Sequence, residues 1–375
     1  MSKQKLDYPV ILSNGIFDVE NHELVNLLRD ITGDSSPKVM LVADGNVVQY
    51  TKDLGSRIGR YFSEHKIQMG GASVVLQGGE KIKSDNHASV FKVAHAALDA
   101  KIGANDVILA LGGGALLDVA GFAAAQVRGG VKIVRIPTSV SAMVDAAFAT
   151  TAAVNTPRIK DAFKVASMPS AVVIDIDFTK TLLDGVWRGG CAQALRCAIT
   201  RDGALVRKIV KSTDKLKARD MKALRVLVSD SIKLHREKDE TSFALWSAAR
   251  METLSNYKLP HGYSVPISIC LDLAYAVTKN LIKREDQELV CECLYKLGAL
   301  DNLFNSRYLL REVDRILVGL DAWKLSHVDG AIELPTGIGK GCMVSDIDRD
   351  AYKMVFANFV ETMEELNKHN SVSQS

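Results

Sequence analysis

The strongest chemical signal in this 375-residue chain is the run DVILALGGGALLDVAGFAAA. A continuous apolar stretch meets Gly112, Gly113 and Gly114 there and passes straight into a helix-forming segment. Glycines at such a junction let backbone amides approach an anion, and the first turn of a helix adds partial positive charge. The chemistry that suits the loop is phosphate binding. Its spacing departs from the G-x-G-x-x-G of the two-βαβ dinucleotide fold, so taken alone it also reads as a tight strand-to-helix turn. Metal chemistry has less to work with. The cysteines (Cys191, Cys197, Cys270, Cys291, Cys293, Cys342) are scattered apart from one C-x-C that lacks a second pair or nearby histidines. They read as reduced thiols of a cytoplasmic protein. His22, His65, His87, His95, His235, His327 and His369 show no ligand spacing and are expected at the surface.

An anion-binding loop needs a sheet beneath it. From Lys38 to about Asp177, the β-branched runs KVMLVAD, SVVLQGG, DVILALGGG, VKIVRIPT and AVVIDIDF alternate with amphipathic segments over 47–65 and 85–102. That alternation predicts an α/β unit with a largely parallel sheet, and strands ending in glycine or acid mark where its ligand loops lie. After about Leu183 the strands vanish. Helical periodicity runs through 203–236, 243–257, 264–282, 286–298 and 347–368, and SHVDGAIELPTG predicts a hairpin turning at Asp329-Gly330. The expected organisation is an α/β domain over 1–182 and a helical domain over 183–375, with an active-site cleft between them.

Composition narrows the partners. The 47 basic residues stand against 44 acidic ones, a net charge of +3, which supplies no field of the kind nucleic-acid binding needs. No apolar stretch approaches the roughly 20 residues of a membrane span, and the residues MSKQKLDYPVILSNG lead us to expect no export signal. The expectation is a small-molecule substrate, with neither nucleic acid nor membrane as partner. The basic stretch KSTDKLKARDMKALR reads as a solvated helix face.

GGGALLDVAGFAA followed by RIPTSVSAMVD resembles the signature of 3-dehydroquinate synthases and their sugar phosphate cyclase relatives. The resemblance continues collinearly through VNTPRIKD, VVIDIDFTKTL, RGGCAQALR, FALWSAARMETL, LPHGYSV and ELPTGIGKG. It implies a dehydroquinate synthase-like fold: an α/β N-terminal NAD-binding domain with a parallel sheet plus a mainly α-helical C-terminal domain. It also implies a homodimer, with NAD and zinc acting together. In this sequence the positions matching the family's dinucleotide contacts are Asp44, Asn46, Glu80, Lys83, Gly113, Gly114, Ala115, Asp118, Thr138, Ser139, Asp145, Lys160, Thr181 and Leu182. The set is chemically coherent, with acids for ribose hydroxyls, amides and hydroxyls for pyrophosphate, and a lysine near the nicotinamide.

The metal half departs from the family pattern. The family's zinc is held by one glutamate and two histidines, and the matching positions here are Gln193, Leu245 and His261. Only the last can coordinate well, so zinc is expected to be absent. Thr151, Gly129, Arg196, Ala249, Ser242 and Tyr263 stand where the family has groups that bind the substrate or relay protons. The expected outcome is a metal-independent NAD enzyme of specialised metabolism with a changed, less anionic substrate facing Leu245, Trp246, Ala249 and Tyr263. Its catalytic groups would be His261 as acid or base, Lys160, Asp145 and Arg196, with Gln193 as an orienter. Two alternatives stay open, a catalytically silent paralogue acting as a binding or scaffold protein, and a true cyclase with an unusual metal site.

Overall fold

The computed structural model describes residues 6–301, 308–327 and 330–372. Its contacts divide the chain into two compact units, Met1–Gly190 with Met221–Asp239, and Cys191–Asp220 with Glu240–Ser375. Segment 221–239, which its helical periodicity grouped with the second half, thus belongs by contacts with the first.

The first unit is built on a parallel sheet. Its strands are β1 (Val10–Ser13), β2 (Lys38–Asp44), β3 (Gln68–Met69), β4 (Val74–Leu76), β5 (Val107–Gly112), β6 (Lys132–Pro137) and β9 (Ala171–Asp175), in the order β1-β9-β6-β5-β2 with β3 and β4 both on the outer edge of β2. Every pairing is parallel. The reason is legible in β5, whose residues are all buried, as expected of a strand covered on both faces. Each buried Val, Leu or Ile contributes about 1.5–3 kcal/mol. All five predicted strand runs form, and because they are parallel their C-terminal ends share one edge: Asp44, Leu76, Gly112, Pro137 and Asp175. A short antiparallel hairpin, β7 (Thr151–Val154) and β8 (Phe163–Ala166), stands apart from this sheet and packs through β7 on helix Gly114–Gln126.

The helix expected over 47–65 is two, Gly45–Tyr50 and Leu54–Glu64, broken where Asp53 takes the left-handed conformation. The second unit is helical: Gly203–Lys211, Thr213–Lys217, Leu245–Leu254, His261–Thr278, Arg284–Leu297, Val313–Ser326 and Arg349–Val372. Its hairpin pairs β10 (Ile332–Gly337) with β11 (Lys340–Val344) and turns at Ile338-Gly339. The expected turn was Asp329-Gly330; Asp329 lies outside the described residues, and Gly339, at φ +88°, supplies the positive φ that a tight turn needs. Among the described residues no helix is long and apolar enough to cross a membrane.

Candidate functional site

The glycine loop sits where the sheet edge requires it. Gly113 precedes helix Gly114–Gln126, and the amides of Gly114 and Ala115 fall in its first turn, which leaves them without intrahelical acceptors. A Cβ on Gly112 would lie 2.9 Å from Leu116, and one on Gly114 would lie 3.1 Å from the Ala146 Cβ, so both must stay small for packing. Gly113 differs. A Cβ there would meet only the Ser139 hydroxyl, at 3.5 Å, which leaves the loop open above the strand end. The Thr138 amide donates to the Gly112 carbonyl at 3.0 Å, tying the β6 end to the loop. Ser139 caps the next helix by accepting from the Ala142 amide at 3.3 Å.

Beside the loop lies a buried cluster of charge. Lys83, 3% exposed, places Nζ 2.6 Å from Asp118 and 2.6 Å from Asp161, with Glu80 at 3.6 Å. Burial alone would lower the Lys83 pKa, but Asp118, Glu80 and Asp161 more than offset it and hold the ammonium well above its usual range. Burial pushes Asp118 upward and Lys83 pulls it back only in part. Asp161 goes the other way. Burial pulls it up, yet the charges of Lys83 and Lys160 hold it well below the usual carboxylate range. Asn155 donates to Glu80 at 3.0 Å and accepts the Asp161 amide at 2.8 Å, while Lys160 reaches to 3.9 Å from Glu80. Four of the predicted residues, Glu80, Lys83, Asp118 and Lys160, therefore converge. Asp161 and Asn155 were missed, because two polar residues of a hairpin loop carry no periodic signal.

Asp44 ends β2 and caps Gly45–Tyr50 by accepting from the Asn46 amide at 2.8 Å. Burial raises its pKa against the pull of that bond. A Cβ on Gly78 would land 2.3 Å from the Asp44 carboxylate, so only glycine lets the GGEKIK turn come this close. The turn Ile176–Thr181 packs on helix Gly45–Tyr50 and brings Thr181 and Leu182 to the same wall. Asp145 follows helix Val140–Val144 and lies 3.7 Å from His235 Nε2, which bonds the Val144 carbonyl at 2.8 Å and stacks on Phe148. Neither His235 nor His65, with exposures of 8% and 6%, is the surface residue the sequence led us to expect. Local spacing cannot show that helix Met221–Glu237 returns to the first unit.

In the second unit Gln193 is buried and Leu245 half-buried. His261 bonds Glu252 Oε1 through Nδ1 at 2.8 Å, and Ser264 Oγ donates to the same oxygen at 2.6 Å. Glu252 was missed; it is 1% exposed and lies nine residues before His261, a spacing only the bend between two helices makes short. Positions 193, 245 and 261 thus present an amide, an alkyl group and an imidazole bonded to a carboxylate. Arg196, expected near substrate, is 2% exposed and donates to the carbonyls of Thr241 at 2.9 Å and Phe243 at 3.1 Å. Its guanidinium anchors the segment leading into helix Leu245–Leu254. Trp246, expected to face an apolar substrate, is 2% exposed instead, because its indole turns inward to Asp272.

A parallel sheet with a glycine loop at its C-terminal edge, joined to a helical unit, defines a class of nucleotide-binding α/β protein. Residues 73–188 match the family described as 3-dehydroquinate synthase N-terminal. The 3-dehydroquinate synthase of Ruegeria pomeroyi is 30% identical over 269 residues, 68% of this chain and 72% of that protein. The chain belongs to the 3-dehydroquinate synthase family. The enzyme of that name from Prochlorococcus marinus is 32% identical over 239 residues, and the match spans 60% of this chain and 65% of its length. Among solved structures, 2-epi-5-epi-valiolone synthase from Streptomyces hygroscopicus, with NAD+ and Zn2+ bound, shares the fold at a TM-score of 0.81 and 21% identity, over 96% of this chain and 99% of that one.

Proposed function

We propose that this chain is an NAD-binding enzyme of the family that acts as a homodimer on a small, weakly anionic substrate without the family's zinc. The observation that carries the reading is a contrast of side chains. Glu80, Asp118 and Asp161 of the first unit form a charged cluster around Lys83, whereas positions 193, 245 and 261 offer a single metal-binding nitrogen. The open face of Gly113 and the first-turn amides fit a pyrophosphate, and Asp44 at the end of β2 and Glu80 in the turn after β4 are carboxylates suited to ribose hydroxyls. Lys160 would meet the nicotinamide end. Bound NAD would supply a hydride acceptor. The chain's part is to hold the proton. Glu252, as a carboxylate, accepts from Nδ1 of His261, which leaves Nε2 as the basic nitrogen. Leu245, Ala249 and Tyr263 would give the substrate apolar rather than cationic surroundings.

One observation favours a second reading, in which a divalent ion binds elsewhere: Asp145 and His235 bring two donor atoms within 3.7 Å. Metal analysis of the purified protein decides between them. The zinc-free reading expects no stoichiometric metal, a thermal upshift with NAD, and zinc uptake only in the Gln193→Glu, Leu245→His double variant. Stoichiometric zinc in the unaltered protein overturns it, and loss of that zinc in His235→Ala would locate the ion at the second site. Absence of any NAD-induced shift, at a concentration that should stabilise by about 2.7 kcal/mol, would leave a scaffold role instead.

A further inference from the structure

We propose that Asp272 is a proton-operated latch of the helical unit. Protonated, it holds helix Arg349–Val372 to the helices that carry Glu252 and His261, and release of its proton to solvent loosens that hold. Asp272 is fully buried on helix His261–Thr278. Its Oδ1 accepts from Trp246 Nε1 at 3.1 Å and from the Tyr352 hydroxyl at 3.0 Å, so one oxygen joins three helices. Oδ2 is equally buried and has no hydrogen-bond partner. A buried carboxylate in that position would leave an uncompensated charge, whereas a carboxylic acid leaves only one unsatisfied group.

The surroundings contain nothing to neutralise the anion. Among the described residues no lysine, arginine or histidine lies within ion-pair distance of Asp272. Trp246 and the Ala244 amide face it from the Leu245–Leu254 segment, and Tyr352 faces it from the last helix. On its own helix Tyr275 stacks on the Tyr352 ring, with centroids 3.8 Å apart. The other titratable groups nearby are engaged elsewhere: Glu252 with His261, Glu333 of β10 with Arg201 and Thr241, and Cys291 of helix Arg284–Leu297 with Cys270. Burial pushes the Asp272 carboxyl up to about 7, against the smaller pull of the Tyr352 and Trp246 donors and the nearby Ala244 amide. The sign follows. A solvated aspartate has lost its proton by about pH 4, so the closed latch is favoured by proton binding below neutrality. That advantage shrinks as pH rises to about 7 and stays lost above it.

Trp246 and Glu252 share a helix, so the state of the latch reaches the base that orients His261. This consequence rests on the proposed role of His261; the latch does not. The test uses the full chain, tryptophan fluorescence as a function of pH, and hydrogen exchange of the first turns of helix Arg349–Val372. The unaltered protein should show a fluorescence transition near neutral pH, and exchange protection, corrected for intrinsic rate, should fall roughly tenfold or more between about pH 5 and about pH 9. Asp272→Asn should abolish both. Tyr352→Phe, which removes a donor to the anion, should move the midpoint to higher pH and serves if Asp272→Asn does not fold. A flat profile in the unaltered protein, the same transition in Asp272→Asn, or an unmoved midpoint in Tyr352→Phe overturns the latch. An NAD titration run alongside separates the outcomes, because failure to bind NAD with the pH transition intact removes the proposed function alone.

Discussion

The cluster around Lys83 and the surroundings of Asp272 handle buried charge in opposite ways. In the first unit one ammonium is placed among Glu80, Asp118 and Asp161, so charge is matched by charge and stays ionised. In the second, Asp272 meets only neutral donors, and Glu252 is matched by an imidazole and a hydroxyl. The difference teaches where a ligand's charge could be accommodated. A set of paired ions beside a glycine loop can exchange partners with a bound anion or hydroxyl, while a carboxyl among neutral donors can respond only by gaining or losing a proton.

The comparison can be broken at Lys83. Lys83→Met would remove the ammonium nearest to three carboxylates, and removing one partner of a buried ion pair costs about 3–5 kcal/mol, so urea unfolding should show a loss of that order. A second change, Asp161→Asn, should restore part of it. A loss under about 1 kcal/mol would mean the cluster is solvated and the contrast false. Asp118→Ala is milder for the fold, because Lys83 keeps Asp161 and Glu80. It should remove NAD binding, seen as loss of the roughly 2.7 kcal/mol of stabilisation expected at 100 times the dissociation constant. Retained binding in a folded Asp118→Ala protein counts against the dinucleotide site.

The smallest effect sharpens the comparison by pH. Lys83 and Lys160 hold Asp161 below the usual carboxylate range, so its contribution is present above that range and is lost as acid protonates it. Asp161→Asn should therefore flatten stability below about pH 4, in the opposite sense to Asp272, whose contribution is lost as pH rises toward about 7. An acid limb unchanged by Asp161→Asn would remove the electrostatic part of the argument.

Legibility in the sequence followed the range of the interactions. The five strand runs, the glycine loop and most helices were readable because hydrophobic period and turn residues act over a few positions. Glu80, Lys83, Asp118 and Lys160 could be singled out only by a resemblance spanning the chain, and their convergence on one ammonium was not visible. Arg196 and Trp246 show a different limit. Both stood at positions read as facing substrate, yet each turns inward to carbonyls or to a carboxyl that lies far along the chain.

By itself the sequence determined the parallel sheet, the phosphate-type loop at its edge and the residue types at 193, 245 and 261, since these depend on local pattern and side-chain identity. Only the tertiary structure decided that Asp161 shares Lys83, that Glu252 orients His261, that His235 sits beside Asp145, and that Asp272 lies buried among neutral donors. The physical reason is that pairing and burial are set by which elements pack, and a side chain's charge state follows its neighbours in space rather than in the chain.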